Sequence, residues 1–245
     1  LKTDEHSLHS PFFYNFYLNI IKNNSYSKKW DEIENFRKAL LKNETELEIL
    51  DLGAGSKVEN SSTRKVKSIA RHSLSSSKFS QFIFRLIQDY NFENIIELGT
   101  SFGITTAYMA KANPNTSIYT FEADPNALKI AKEVNIKQGN IKFHEGDIGS
   151  LLPEMLHKSN SKIDLVYADA NHTYEASIDY YNIIQPNLTS NSIYILDDIH
   201  WSAGMKKAWE ELKLRKEVTS SIDLFDAGLL FFNSDFKKQH YVLDF

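Results

Sequence analysis

Residues 95–103 read Ile95-Ile96-Glu97-Leu98-Gly99-Thr100-Ser101-Phe102-Gly103, and this stretch decides the fold. Ile95 and Ile96 lead as a buried strand into Glu97-Leu98-Gly99. A small-residue turn follows to Gly103, and residues 104–110 continue as a helix-like run. Strand, glycine turn and helix make the first half of a βαβ unit. Without a Cβ, glycine permits a tight turn and lets a ligand approach the backbone. The unpaired N–H groups at the start of the next helix offer hydrogen bonds to that ligand. Many nucleotide-binding folds use such a turn, so the flanking sequence has to narrow it.

Downstream, residues 117–122 read as a second strand ending in Glu122, 23 residues after Gly99. An acid at about that distance is placed to hold ribose hydroxyls. A third strand, 141–148, carries Gly146-Asp147 near its end. A fourth, 163–169, ends in Asp169, and a fifth, 192–198, ends in Asp197-Asp198. In an open parallel sheet, ligands bind at the carboxyl ends of the strands, so these acids are expected along one edge.

The spacing Glu97-x-Gly99-x-x-x-Gly103, then Glu122, then Gly146-Asp147, resembles the cofactor motifs of class I S-adenosylmethionine (SAM)-dependent methyltransferases, over residues 78–233. The resemblance implies an α/β fold: a Rossmann-like, doubly wound, seven-stranded sheet whose last strand is antiparallel. It implies that Glu97, Gly99, Thr100, Ser101 and Gly103 surround the methionine part of the cofactor. Glu122 would accept from the ribose hydroxyls, and Asp147, with the Ile148 backbone beside it, from the adenine amino group. The turn is not G-x-G-x-x-G, which argues against a dinucleotide dehydrogenase.

The whole chain sets bounds. Its 245 residues, 42% hydrophobic, suffice for one sizeable α/β domain with additions. A net charge of −4 gives no general pull toward nucleic acid. No apolar run approaches the roughly 18 residues of a membrane span. No apolar stretch follows a basic one at the start, so no secretory signal is expected, and the cytoplasm is the expected location. There is no cysteine, hence no disulfide or thiolate metal site.

Division of the chain is expected at 77/78, with a helical N-terminal extension or lid (1–77) preceding a SAM-binding domain (78–245). Within the extension, residues 10–22 read as a helix with Phe12, Phe13, Phe16, Tyr17, Ile20 and Ile21 on one face. That face suits packing on the body of the domain, a lid, or a homodimer contact. A second amphipathic helix is expected at 30–42. Residues 51–55, Asp51-Leu52-Gly53-Ala54-Gly55, imitate a cofactor turn, but no helical apolar face and no spaced acid follow, so they read as a turn in the extension. The basic, serine-rich run 56–85 reads first as a solvated segment and second as a lid over an anionic acceptor. Helices are further expected at 78–90, 125–137, 173–185 and 203–215. A hairpin of 218–224 and 228–232 is expected next, with a short terminal strand at 241–245.

Methyl transfer from a sulfonium to a hydroxyl requires in-line placement, removal of the hydroxyl proton and exclusion of water. A hard divalent cation such as Mg2+ can chelate two adjacent oxygens and acidify one of them. Asp169, Asp197 and Asp198, on neighbouring strand ends, would repel one another strongly unless protonated or bound to a cation. The segment Asp197-Asp198-Ile199-His200-Trp201-Ser202-Ala203-Gly204 is similar to the Asp-Asn-x-x-Trp-x-Gly segment of catechol and caffeoyl-CoA O-methyltransferases. That resemblance implies metal ligation by Asp169, Asp197 and Asp198. Asp198 replaces the asparagine, as in a related group of metal-dependent sugar and antibiotic O-methyltransferases. His172, three residues after Asp169, stands where the catechol family has a catalytic lysine, and an imidazole suits proton removal near neutrality. His200 is a weaker alternative, beside the ligands. Trp201 reads equally as a site wall or a core residue. The expected acceptor is a small molecule with vicinal hydroxyls, such as a sugar or polyphenol. The rivals are a metal-independent methyltransferase and a non-catalytic cofactor-binding interaction module.

Overall fold

The computed structural model describes residues 8–49 and 63–245. The chain forms two compact units, neither continuous in sequence: residues 1–24, 94–96 and 152–245, and residues 25–93 and 97–151.

In the second unit, β3 (Asn94–Leu98), which starts in the first unit, is followed by α5 (Ile104–Ala112), β4 (Ser117–Glu122), α6 (Pro125–Val134), β5 (Ile141–Glu145) and α7 (Ile148–Ser159), whose last turns lie in the first unit. The order is β3-β4-β5. β4 and β5 run parallel, with Phe121 opposite His144 and Glu122 opposite Glu145. Asp124 caps α6, taking the N–H groups of Asn126 (2.7 Å) and Ala127 (2.9 Å), and Pro125 fits the first turn. Asp124 is buried, so Asp124→Ala is expected to cost about 1–2 kcal/mol, read as a lower denaturation midpoint at unchanged m-value.

Ahead of β3 the same unit holds α2 (Asp31–Leu40), β1 (Glu46–Glu48), β2 (Thr63–Lys65), α3 (Val66–Ser73) and α4 (Ser77–Tyr90). The 3-10 turn Lys28–Trp30 puts Trp30 edge-on to Phe84 of α4, ring centroids 5.6 Å apart. Arg37 of α2 is buried and donates to Glu34, to the Ser75 carbonyl (2.6 Å) and to Ser80 (3.3 Å). Burial works against the Glu34 charge, but hydrogen bonds from Tyr108 and Ser77 and the Arg37 charge outweigh it, holding its pKa low. The helix α3 lies inside the basic run expected to be solvated. Its Val66 and Ala70 are buried four residues apart, an apolar stripe that the flanking Lys65, Lys67 and Arg71 conceal. β1 pairs antiparallel with β2. The turn at Asp51–Gly55 and the start of the basic run, 56–62, lie outside the described residues.

In the first unit, α1 (Pro11–Phe16) continues as a π-helical turn, Tyr17–Ile21. Phe13 and Phe16 meet Phe231 edge-on at 5.2 and 5.5 Å, and Phe13 lies 4.9 Å from Tyr241. The apolar face of this helix is therefore core. The remaining elements are β6 (Ile163–Ala168), α8 (Tyr174–Ile184), β7 (Leu188–Asp197), α9 (Ala203–Leu214), β8 (Ser220–Asp223), β9 (Ala227–Phe231) and β10 (Gln239–Val242), in the order β10-β8-β9-β7-β6-β3. β6 and β7 are parallel, while β9 is antiparallel to both β7 and β8. The expected α/β class, mixed sheet and antiparallel hairpin are present. β3 to β9 are the seven expected strands, and β10, parallel to β8, is an eighth at the edge. Gly228 is fixed by packing: a Cβ there would sit 2.5 Å from the buried Trp209 ring.

No helix among the described residues is long and apolar enough to cross a membrane.

Candidate active site

Two groups of the expected residues are assembled, one in each unit. In the second unit the glycine turn is pinned at several points. Gly99 and Thr100 both donate to the Phe121 carbonyl at 3.0 Å, tying the end of β3 to the end of β4. Gly99, Ser101 and Gly103 have φ of +96°, +48° and +72°. A Cβ at Gly103 would lie 2.7 Å from Asn135 Nδ2 and 2.8 Å from Ala131 Cβ, so α6 packs against bare backbone. Asn135 Nδ2 in turn donates to the Gly103 carbonyl at 2.9 Å.

Glu122 holds this turn from below. Its Oε2 accepts from Ser101 N (2.8 Å) and its Oε1 from Asp124 N (3.0 Å). Each carboxylate oxygen keeps a further lone pair, so this role leaves room for a ligand hydroxyl. Asp147 Oδ2 takes the N–H and hydroxyl of Ser150, at 2.9 and 2.8 Å, and so caps the start of α7. Ile148 is buried in the first turn of that helix. The sequence reading missed α7, which carries Pro153 in its interior, a residue that usually ends a helix.

Glu97 is fully buried. Thr106 and Thr120 each donate to its Oε2 at 2.6 Å, while Oε1 has no partner. Burial pushes its pKa up to about 7, against the two hydroxyls that lower it, with the Glu122 charge adding to the rise. The folded pKa lies above the ordinary value of 4.5, so the folded protein holds the extra proton between those values. Stability therefore falls as pH rises from about 4.5 to 7, by at most about 3 kcal/mol from this group. Glu97→Gln, uncharged at every pH, is expected to flatten the fall, measured by urea titration at pH 5 and pH 8.

The first unit holds the carboxylate group. Tyr167, two residues before Asp169 and hence on the same face of β6, is buried with its hydroxyl 2.9 Å from Asp169 Oδ2 and 2.8 Å from Asp197 Oδ2. One hydroxyl proton cannot serve both acceptors at once. Burial, then the charge of Asp197, raises the Asp169 pKa well above the usual carboxylate range. Burial, with the Asp198 charge behind it, pushes Asp197 up to about 7. Burial also raises Asp198, whose φ is +55°. His172 bridges this group: Nε2 lies 3.4 Å from Asp169 Oδ1 and Nδ1 lies 3.7 Å from Asp198 Oδ2. Burial lowers its pKa although Asp198 pulls the other way. A lowered imidazole is neutral at pH 7, the form that accepts a proton.

His200 turns to Asp223, Nε2 to Oδ2 at 2.9 Å. Trp201 is 53% exposed, which removes it from the core. Tyr167 and Asp223 escaped the sequence reading. The i, i+2 spacing from Asp169 is a signal for Tyr167, whereas Asp223 lies too far along the chain to leave one.

The donor chemistry of Asp169, Asp197 and Asp198, three carboxylates, is that of a hard cation. Their arrangement is not: among the described residues no group of three His, Asp or Glu side chains is placed to hold a metal ion. Asp169 and Asp197 are engaged by Tyr167 and Asp198 by His172.

Comparison with known proteins agrees with the fold. Residues 96–199 match the family model described as Methyltransf_24, a methyltransferase domain. A catechol O-methyltransferase of Niastella koreensis is 31% identical over 98 residues, covering 38% of this chain and 43% of that protein. The matched part is therefore less than half of that relative. An SAH-bound methyltransferase of Podospora anserina superposes with a TM-score of 0.64 at 15% identity, covering 92% of this chain and 97% of that one. An O-methyltransferase of Streptomyces achromogenes involved in tomaymycin synthesis, in complex with SAM, has a TM-score of 0.58 at 19% identity, covering 66% and 82%. The resemblance to class I SAM-dependent methyltransferases is borne out.

Proposed function

We propose that this protein is a SAM-dependent O-methyltransferase acting on a hydroxyl of a small molecule. The observation that carries the reading is the placement of His172 against Asp169 and Asp198, just past the ends of two parallel strands. In this reading the turn at Gly99–Gly103, with Glu97, Glu122, Asp147 and Ile148, binds the cofactor. The orphaned Oε1 of Glu97 supports that assignment, since a buried acceptor without a partner suits a ligand donor. SAM, when bound, supplies the electrophilic methyl group. His172 takes the acceptor proton, and the neighbouring Asp169 and Asp198 stabilise the imidazolium that results. The match to a catechol O-methyltransferase supports a small-molecule acceptor, with a sugar or a polyphenol as the finer choice. The division into an extension to residue 77 and a SAM-binding domain after it belongs to the same reading.

The divalent cation rests on donor chemistry alone, with Asp169, Asp197 and Asp198 as the residues that would hold it. Tyr167 takes only Oδ2 of Asp169 and of Asp197, so a cation would use their remaining oxygens and Asp198. The test is methyl transfer from labelled SAM to catechol, with and without EDTA. Transfer that EDTA abolishes and Mg2+ restores supports a metal-dependent enzyme. Transfer indifferent to EDTA supports the metal-independent enzyme, with His172 as its base. SAM binding without transfer to any hydroxyl acceptor favours the non-catalytic module.

A further inference from the structure

The turn between β8 and β9 carries a residue that contributes nothing visible to the fold. Phe225 is 72% exposed and has φ of +76°. A bulky side chain rarely adopts that left-handed backbone, and an exposed aromatic ring gains no burial in return. Such outliers persist where the surroundings impose them, and they gather at binding sites.

Here the surroundings are explicit. Asp223 is buried at the end of β8, and its Oδ1 accepts the Phe225 N–H at 2.8 Å. Its Oδ2 faces His200 Nε2 at 2.9 Å. A carboxylate only accepts, so His200 Nε2 is the donor in this contact. The His200 and Phe225 rings lie 5.5 Å apart. Ile199 N donates to the Asp226 carbonyl at 3.3 Å, and Asp197 is opposite Ala227 in the β7–β9 ladder. The turn is thus locked to the loop that begins at Asp198, within the candidate site.

We propose that Phe225 is an acceptor-contact residue, held out by Asp223 and His200 as positioning residues, and that the ring it presents selects a planar aromatic hydroxyl compound over an aliphatic one. This rests on the O-methyltransferase reading and deepens it. An aromatic ring packs on Phe225 face or edge, and His200, bound to Asp223 and against the Phe225 ring, fixes where that ring stands. Glycine would relieve the backbone strain at 225 but offers no ring.

The test is calorimetric titration of the full chain, in the presence of S-adenosylhomocysteine, with catechol and with cis-1,2-cyclohexanediol. The wild type is expected to bind catechol about tenfold more tightly than the diol. Phe225→Gly is expected to lose about tenfold in catechol affinity without a lower melting temperature. His200→Ala should weaken catechol binding too, and His200→Gln should restore it, since the glutamine amide can still donate to Asp223. Equal affinity of the wild type for both compounds, no catechol binding, or a Phe225→Gly variant that binds like the wild type overturns the proposal. SAM is titrated alongside. If SAM binds, such a result overturns this inference alone; if SAM fails to bind, the enzymatic reading falls with it.

Discussion

His172→Ala is expected to lower kcat by about 10²–10⁴-fold while leaving SAM affinity unchanged. The span is the usual worth of a positioned general base. The separation of the two effects follows from placement: His172 touches Asp169 and Asp198, and none of Glu97, Glu122 or Asp147 takes part in that contact. The pH profile carries the same prediction. Burial lowers the His172 pKa, so the base form is already dominant at neutrality, and activity should fall only as pH drops through that lowered value. His172→Gln, which hydrogen-bonds without accepting a proton at neutral pH, should fail to rescue kcat. Single-turnover measurement of methyl transfer to catechol checks both statements. A variant with wild-type kcat would remove His172 from the chemistry.

The largest structural effect is expected at the glycine turn. Gly103→Val places a β-branched side chain at φ +72° and drives it into Asn135 and Ala131, where even a Cβ comes within 2.7–2.8 Å. Left-handed strain costs roughly 1–2 kcal/mol and overpacking roughly 1–3 more, so about 2–5 kcal/mol of stability should go. For a chain of this size that is a fall in Tm of roughly 10 °C. The damage should extend to function, because α6 can move away only by breaking the Asn135–Gly103 hydrogen bond that braces the turn. Thermal melts and SAM titration of Gly103→Val and of Gly139→Val make the comparison. Gly139 has open space where a Cβ would go and should tolerate the change far better.

The fold was legible because short apolar runs, each with an acid at or near its end, alternate with helix-like stretches. Gly99 and Gly103 told more than composition could, since left-handed backbone and close packing of α6 both demand glycine there. Where the reading failed, a local signal pointed the wrong way. Pro153 masked α7, and the lysines around Val66 and Ala70 masked α3. The acids do stand at the strand ends where the spacing put them, but their partners left no signal in that spacing. That Tyr167 engages Asp169 and Asp197 together depends on the parallel register of β6 with β7, and the pairing of His200 with Asp223 depends on where the β8–β9 turn lands. Neither register nor turn placement is written in spacing along the chain. Three crowded carboxylates can be relieved by protonation or by a cation; here Tyr167 and His172 lie against them, and burial raises the pKa of Asp197 and so favours its protonated form.

SAM binding by the wild-type protein tests the central claim most directly. Isothermal titration should show saturable one-site binding that Gly103→Val weakens severely and His172→Ala leaves intact. A folded wild-type protein that gives no heat with SAM at any concentration would contradict the account at its root.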